Sequence, residues 1–178
     1  AKPDLDLIPL IPDFIEEKEE LQGVARGTAY HKVMECLDFS QADTKDGIRQ
    51  QLDGWVSQGR IEEPVRRCVR EWDILALARS PLGKRLRRAQ QQGLLYREQP
   101  FVISVKASEV DADWDDREQV LVQGIMDVYF QEEGDLVVVD YKTDWLKPGE
   151  EDQLTERYRI QLGYYGQALE RMTGKRVK

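Results

Sequence analysis

The stretch "GIMDVYFQEEGDLVVVDYKTD", Gly124 to Asp144, decides the fold class. It holds two apolar runs, 119–130 and 135–142 in their full extent, around the polar segment "QEEG". So short a joint makes the runs an antiparallel β-hairpin. The second run, "DLVVVDYK", is almost wholly apolar, the pattern of a central strand buried on both faces. Each run nevertheless carries an aspartate. Asp127 interrupts the first, Asp140 closes the second, and Lys142 follows two residues later.

In a strand, residues i and i+2 share a face, so Asp140 and Lys142 point the same way. Asp127 lies on the partner strand, about 4.8 Å away. With matched register the three side chains meet at the end of the sheet. Two ionised carboxylates that close repel each other and lose hydration. A divalent cation removes both costs, and oxygen ligands suit magnesium or manganese. A lysine beside them can hold an attacking water or stabilise charge developing on a phosphate. Metal plus lysine around a phosphodiester is a hydrolysis site. The simpler alternative is a structural salt bridge between Lys142 and one aspartate. It accounts for one pair, but burying three charges on an apolar hairpin without a role is costly.

Upstream, "RGTAYHKVMECLDF" reads as a helix from about Thr28, a fitting N-cap. Tyr30, Val33, Met34 and Leu37 form its apolar face. His31, the single histidine, flanks that face on the side of Glu35 and Asp38. Glu35, four residues on, is a competing partner for any metal that His31 binds. Residues 44–90 read as three helical pieces punctuated by Gly54, Gly59, Pro64, Pro81 and Gly83. "LLYREQPFVISV", 94–105, reads as a strand and the acidic segment 107–118 as a loop. Asp111, Asp113 and Asp115 alternate as in a calcium loop, but Asp116 and Val122 stand where that loop needs Gly and Glu. From about 150 to 173 runs a long helix with Tyr158, Leu162, Tyr165, Leu169 and Met172 in one stripe and Gly174 as its stop. Tyr164 reads as packing and Trp145 as a loop anchor.

The bulk numbers bound the class. At 178 residues the chain can build one domain with a sizeable core. No apolar run approaches the ~20 residues of a membrane span, and no basic-then-apolar leader opens the chain. Two cysteines, Cys36 and Cys68, cannot make a four-cysteine zinc or iron–sulfur site. A reducing cytoplasm is the expected setting. The net charge of −8 counts against a general nucleic-acid binder. The charge is uneven, however: nine basic against four acidic residues from Arg60 to Arg88, a stretch that can face a phosphate backbone or plain solvent. Three prolines among the first twelve residues mark an arm, assigned to 1–22, before a domain at 23–178. With "KRVK" at the other end, where a further strand could begin, this suggests a domain excised from a larger chain.

Taken in order, "RGTAYH", "GIMD", "DYK" and the QxxxY spacing of Gln161 and Tyr165 resemble the RecB-like branch of the restriction-endonuclease-like, or PD-(D/E)xK, nuclease superfamily. The superfamily's proline before the first aspartate is absent here, and Gly124 stands where that branch has its glycine. The resemblance implies an α/β (α+β) fold: a restriction-endonuclease-like core with a small mixed sheet, flanking helices and a helical insertion. It implies that His31, Asp127, Asp140 and the backbone carbonyl of Tyr141 bind Mg2+, with Mn2+ or Ca2+ able to substitute, and no iron–sulfur cluster. It implies that Lys142 is catalytic together with the two aspartates, that Gln161 and Tyr165 line the site and hold DNA, and that Glu98 is an acid just outside the ligand set. The implied activity is exonuclease cleavage of unwound single strands during double-strand-break repair by homologous recombination. The implied partners are the DNA, a helicase portion of the same chain and an AddB-like subunit, with no membrane. A nuclease fold that only docks DNA or a partner is the alternative.

Overall fold

In the computed structural model the described residues are 18–110, 113–115, 117–142 and 151–178. They form seven helices and a three-stranded sheet. Helix α1 spans Lys18–Cys36, followed by a 3-10 turn at Phe39–Gln41. Then come α2 (Lys45–Ser57), α3 (Glu63–Cys68), α4 (Glu71–Arg79) and α5 (Pro81–Gln91). Strand β1 (Leu95–Lys106), the four-residue α6 (Ala107–Val110), β2 (Gln119–Glu132), β3 (Asp135–Val139) and α7 (Glu151–Thr173) complete the chain. The class is α+β, as expected from the sequence.

Several expectations need correction. Helix α1 begins at Lys18, so Thr28 lies inside it and is no N-cap, and residues 18–22 are helical rather than arm. Further along, Ala29, Tyr30, Val33, Met34 and Leu37 are buried in one apolar core with residues of α2, α4 and α5. The 45–91 region has four helices, not three. Thr44 caps α2 by accepting from the Gly47 N–H, and Ser80 caps α5 by accepting from the Gly83 N–H. Gly54 and Gly83 fall within helices; the breaks come at Gly59, before Pro64, at Arg70 and at Ser80. The acidic 107–118 segment opens with α6. Arm residues 1–17, Asp111, Asp116 and Trp145 lie outside the described residues.

The sheet order is β1-β2-β3, antiparallel throughout. The β2–β3 turn is two residues, Glu133 and Gly134, both at positive φ (55° and 93°), the geometry of a type I′ hairpin. β3 has β2 on one side and, on the other, the chain after α7, which pairs with it in parallel at Leu136. Its apolar run is explained by burial on two sides: Leu136 enters one core and Val137 the other. The parallel pairing runs through two backbone bonds, Leu136 N–H to the Arg176 carbonyl at 2.8 Å and Lys178 N–H to the Leu136 carbonyl at 2.9 Å, where the sequence placed the start of a further strand. Helices α1, α2, α4 and α5 pack one core with Val128, Phe130 and Val137. Tyr164, Tyr165, Ala168 and Leu169 of α7 pack the other with Phe101, Ile103, Met126 and Leu136. Leu162 and Met172, expected in that stripe, are exposed.

One irregularity places the site. A regular strand sends i and i+2 to the same side, yet Met126 and Val128 enter different cores. The alternation breaks at Asp127. Opposite it, Glu98 takes φ 48°, a left-handed conformation rare for a side-chain-bearing residue, and Glu98 and Asp127 drop out of the ladder. Such strain costs on the order of 1 kcal/mol and concentrates at functional sites.

Candidate active site

Asp127 leaves β2 at this break with its side chain 12% exposed. Its Oδ1 faces His31 Nδ1 of α1 at 3.2 Å, and its Oδ2 accepts the Tyr141 N–H at 2.7 Å. β3 ends at Val139, so Asp140, Tyr141 and Lys142 lie just past the strand. Asp140 is nearly buried, with its side chain 7% exposed, and its Oδ2 pairs with Lys142 Nζ at 2.6 Å. Lys142 also donates to Gln161 Oε1 at 3.2 Å and stands over the Tyr158 ring at 4.9 Å. Gln161 Nε2 donates to the Tyr165 hydroxyl at 2.5 Å, which in turn donates to the Ile125 carbonyl at 3.2 Å. Two groups of contacts thus adjoin along residues 140–142 at the end of the sheet: His31, Asp127 and the Tyr141 N–H in one, and Asp140, Lys142, Gln161 and Tyr165 in the other.

The charges answer one another. The hydrogen bond to Asp127 raises the His31 pKa against burial, helped by the Asp127 charge and by a hydrogen bond to the Tyr141 backbone. Burial pushes Asp127 up, but the His31 and Tyr141 hydrogen bonds and the charges of His31 and Lys142 hold it below the ordinary carboxylate value. Burial wins at Asp140, which is raised despite Lys142, with the Asp127 charge adding to the shift. Glu98 is raised by burial and by the nearby charges of Asp127 and Glu35, while His31 and Lys32 oppose. It therefore sits close to the site. Glu35 pairs with Lys32 at 2.8 Å, on the exposed side of α1.

Among the described residues, no three His, Cys, Asp or Glu side chains are gathered as a metal cluster. Asp140 turns to Lys142, while Asp127 turns to His31 and Tyr141. The donor set still fits a hard divalent cation. Two shielded carboxylates feel each other's charge, an imidazole faces one of them, and each now takes a cationic or N–H partner where a metal ion would provide charge.

The sequence reading did not single out Phe101. Its ring packs edge-on against Tyr165, 5.3 Å between centroids, and lies over Gly124. A Cβ on Gly124 would come within 2.9 Å of that ring. The glycine inside the strand was the available signal, since it marks close approach of a neighbour.

The fold and the site set this chain among nucleases. It matches the PD-(D/E)XK nuclease superfamily over residues 8–178 and belongs to that family. Its curated relatives are AddA proteins, which their names describe as ATP-dependent helicase/nuclease subunits. That of Lachnoclostridium phytofermentans is 34% identical, matching 96% of this chain and 15% of its own length. Those of Clostridium beijerinckii and Acetivibrio thermocellus are 35% and 37% identical, matching 96% and 97% of this chain and 14% of their own lengths. The chain thus spans about one-seventh of the length of these relatives. No helix among the described residues is long and apolar enough to cross a membrane.

Proposed function

We propose that this chain is a Mg2+-dependent DNA nuclease domain, cutting unwound single strands as an exonuclease within a cytoplasmic helicase–nuclease. The reading extends to double-strand-break processing for homologous recombination. Its partners on this reading are a helicase portion of the same polypeptide and an AddB-like subunit. One observation carries it. Lys142 Nζ is held between Asp140 and Gln161 beside the His31–Asp127 pair, so a cation and two shielded carboxylates share one small space.

His31, Asp127, Asp140 and the Tyr141 carbonyl would hold the cation, with Glu98 just outside. When bound, the cation neutralises the carboxylates and polarises the phosphodiester as a Lewis acid. Lys142 orients the attacking water and stabilises the negative charge that builds on the phosphate oxygens. Gln161 fixes Lys142, and Tyr165 fixes Gln161, so the ammonium does not reorganise during reaction. Gln161 and Tyr165 also border the path of the DNA strand. The nuclease domain of this reading takes in the whole of α1, from Lys18 onward.

The test is incubation of the chain with labelled single-stranded DNA, with and without Mg2+, beside Lys142→Ala and Asp127→Ala. The expected result is Mg2+-dependent cleavage lost in both variants. Cleavage that persists in Lys142→Ala, or needs no metal, rejects the mechanism. Metal-independent DNA binding without cleavage points instead to a docking module.

A further inference from the structure

The sheet is longer than the helical layer laid over it. On one face, Leu95, Val128, Phe130 and Val137 pack with α1, α2, α4 and α5. Past the break at Glu98 and Asp127, Phe101, Ile103, Val122 and Met126 pack with α7 on the opposite face. Neighbours along a strand point to opposite sides, so the residues between these turn back to the helical side. There they stand uncovered: Val102 is 61% exposed, Ile125 54% and Leu121 40%, and Pro100 is exposed as well. Across the β1–β2 pair Pro100 faces Ile125, Val102 faces Gln123 and Ser104 faces Leu121. The four apolar side chains thus line one lane on a bare sheet face, the kind of surface that marks a binding partner.

The lane runs into the candidate site. Ile125 lies two residues before Asp127, roughly 7 Å along the strand. Met126 faces α7, whereas the Asp127 carboxylate meets His31 of α1, so Ile125 and Asp127 open on the same side. The carboxylate therefore stands where the helical cover ends and the lane begins. A polymer bound at Asp127 has its next units over Ile125 and Pro100.

Charge decides which polymer. The chain has 34 acidic residues and a net charge of −8, yet none of the positions turned outward along 100–106 and 119–125 is acidic. Lys106, exposed at the far end, is the lane's one charge. An acid-free apolar lane suits a polyanion with apolar faces of its own. An unpaired polynucleotide has both, and every base offers such a face whatever its identity. A duplex hides its base faces in stacking and offers the lane only phosphates.

We propose that Pro100, Val102, Leu121 and Ile125 hold the unstacked bases of the strand that enters the site, and so select unpaired DNA without reading its sequence. The choice of DNA rests on the nuclease reading above. None of the four residues touches the reacting phosphate, so their contribution is to strand binding and not to the chemical step.

The test measures binding of two short labelled strands by fluorescence anisotropy, with Ca2+ in place of Mg2+. One is an oligothymidylate; the other has the same length and charge but abasic sugars. The native chain is compared with Val102→Ala, Ile125→Ala and the double variant, and a thermal melt checks that each folds. Mg2+-dependent cleavage of the oligothymidylate is split into kcat and KM. The double variant should bind oligothymidylate about tenfold more weakly, as loss of aliphatic contact requires, with KM rising in step and kcat within twofold of native. The native chain should bind the abasic strand about as weakly, and the double variant should no longer tell the two strands apart. The salt dependence of binding should keep its slope, since no phosphate contact is lost.

A native chain that binds both strands equally overturns the proposal, and this comparison needs no variant. A folded double variant within twofold of native, or one that weakens both strands alike, also overturns it. So does sedimentation showing a native dimer that the double variant dissolves while KM stays unchanged, which would assign the lane to a second copy of the chain. A native chain that cleaves while treating both strands alike sinks this inference alone. One that prefers the strand with bases, loses that preference in the double variant and does not cleave retains the lane and sinks the nuclease reading. One that neither binds nor cleaves sinks both.

Discussion

His31 Nδ1 and Asp127 Oδ1 stand 3.2 Å apart, a polar contact between the first helix and the middle strand. Its pH dependence follows from the two shifted groups. His31 is raised above its ordinary 6.5, so its contribution to stability is fully present below 6.5 and is lost as pH rises through the raised pKa. Asp127 is held below its ordinary 3.8, so its contribution is present above 3.8 and is lost as pH falls through the lowered pKa. The pair therefore contributes most between about pH 4 and 6.5. His31 is one-third exposed, which limits the gain to about 1 kcal/mol. Urea unfolding of the metal-free chain at pH 5.5 and pH 8.5 should show His31→Asn costing about that much at the lower pH and less at the higher. An equal cost at both values means that the pair is not an ion pair.

Gln161 is the joint between the catalytic lysine of the proposed mechanism and the rest of α7. It accepts from Lys142 and donates to Tyr165, and Tyr165 donates to the Ile125 carbonyl of β2. Gln161→Leu keeps the shape and removes both polar contacts. We expect cleavage to fall roughly 10- to 100-fold through kcat, the range for a misplaced catalytic group. Unfolding free energy should change by no more than about 1 kcal/mol, because Gln161 is only half-buried. A variant that loses KM rather than kcat would assign Gln161 to DNA binding alone.

How much of this was legible in the sequence differs from element to element. The hairpin was, because alternation, a short glycine turn and two misplaced aspartates are all local signals. The pairing of Asp140 with Lys142 is seen, but both lie past the end of β3, and Asp127 turns instead to His31 and the Tyr141 N–H. The flanking of β3 was legible too: its almost wholly apolar run matches burial on both faces, with Leu136 in one core and Val137 in the other. The start of α1 was not legible, since Gly23 and Gly27 argue locally against a helix. Phe101 was silent because its meaning lies in a residue 64 positions along the chain, Tyr165.

Gly83 illustrates a signal that can be misread. It sits inside α5, not at a break, because α4 crosses it closely. An added Cβ would lie 2.1 Å from the Leu77 carbonyl oxygen and 2.6 Å from that of Ala78, both backbone atoms that cannot swing aside. Gly83→Ala, a gain in helix propensity on an isolated helix, should here destabilise by about 3 kcal/mol. That corresponds to roughly 6–12 °C in melting temperature for a chain of this size. A neutral or stabilising effect in a thermal melt would refute the close crossing of α4 and α5.

At the far end of the sheet, Arg85 of α5 grips Glu132 of β2 with two hydrogen bonds, at 2.9 and 2.7 Å, and Lys178 lies 3.4 Å away. The Arg85 hydrogen bond leads the causes that bring the Glu132 carboxyl down to about 2. A lowered carboxylate contributes above its unfolded value of 4.5 and loses that contribution as pH falls toward about 2. The pair is partly solvated, so the gain is about 1 kcal/mol rather than the full shift. Glu132→Gln should therefore lower stability at pH 6 and matter progressively less between pH 4.5 and 2. Acid unfolding curves that differ from native by a constant amount across that range would contradict the clamp.

Gly124 connects packing to the site most directly. Phe101 faces it across the β1–β2 pair and lies over it, and the same Phe101 ring supports Tyr165. Phe101 is 4% exposed and is packed among Tyr165, Met126 and Ile103, so it has little room to retreat from a methyl group placed 2.9 Å away. Gly124→Ala must therefore displace the ring, at about 1–3 kcal/mol. Displacement moves Tyr165, and with it Gln161 and the lysine that Gln161 holds. The expected outcome is a destabilised chain whose cleavage rate falls more than its stability alone explains, measured well below the melting temperature. Phe101→Leu on the Gly124→Ala background makes room for the methyl group and should restore stability. It should restore the rate only in part, because leucine gives Tyr165 no ring to lean on. Recovery of both together would mean that Phe101 serves the core and not the site.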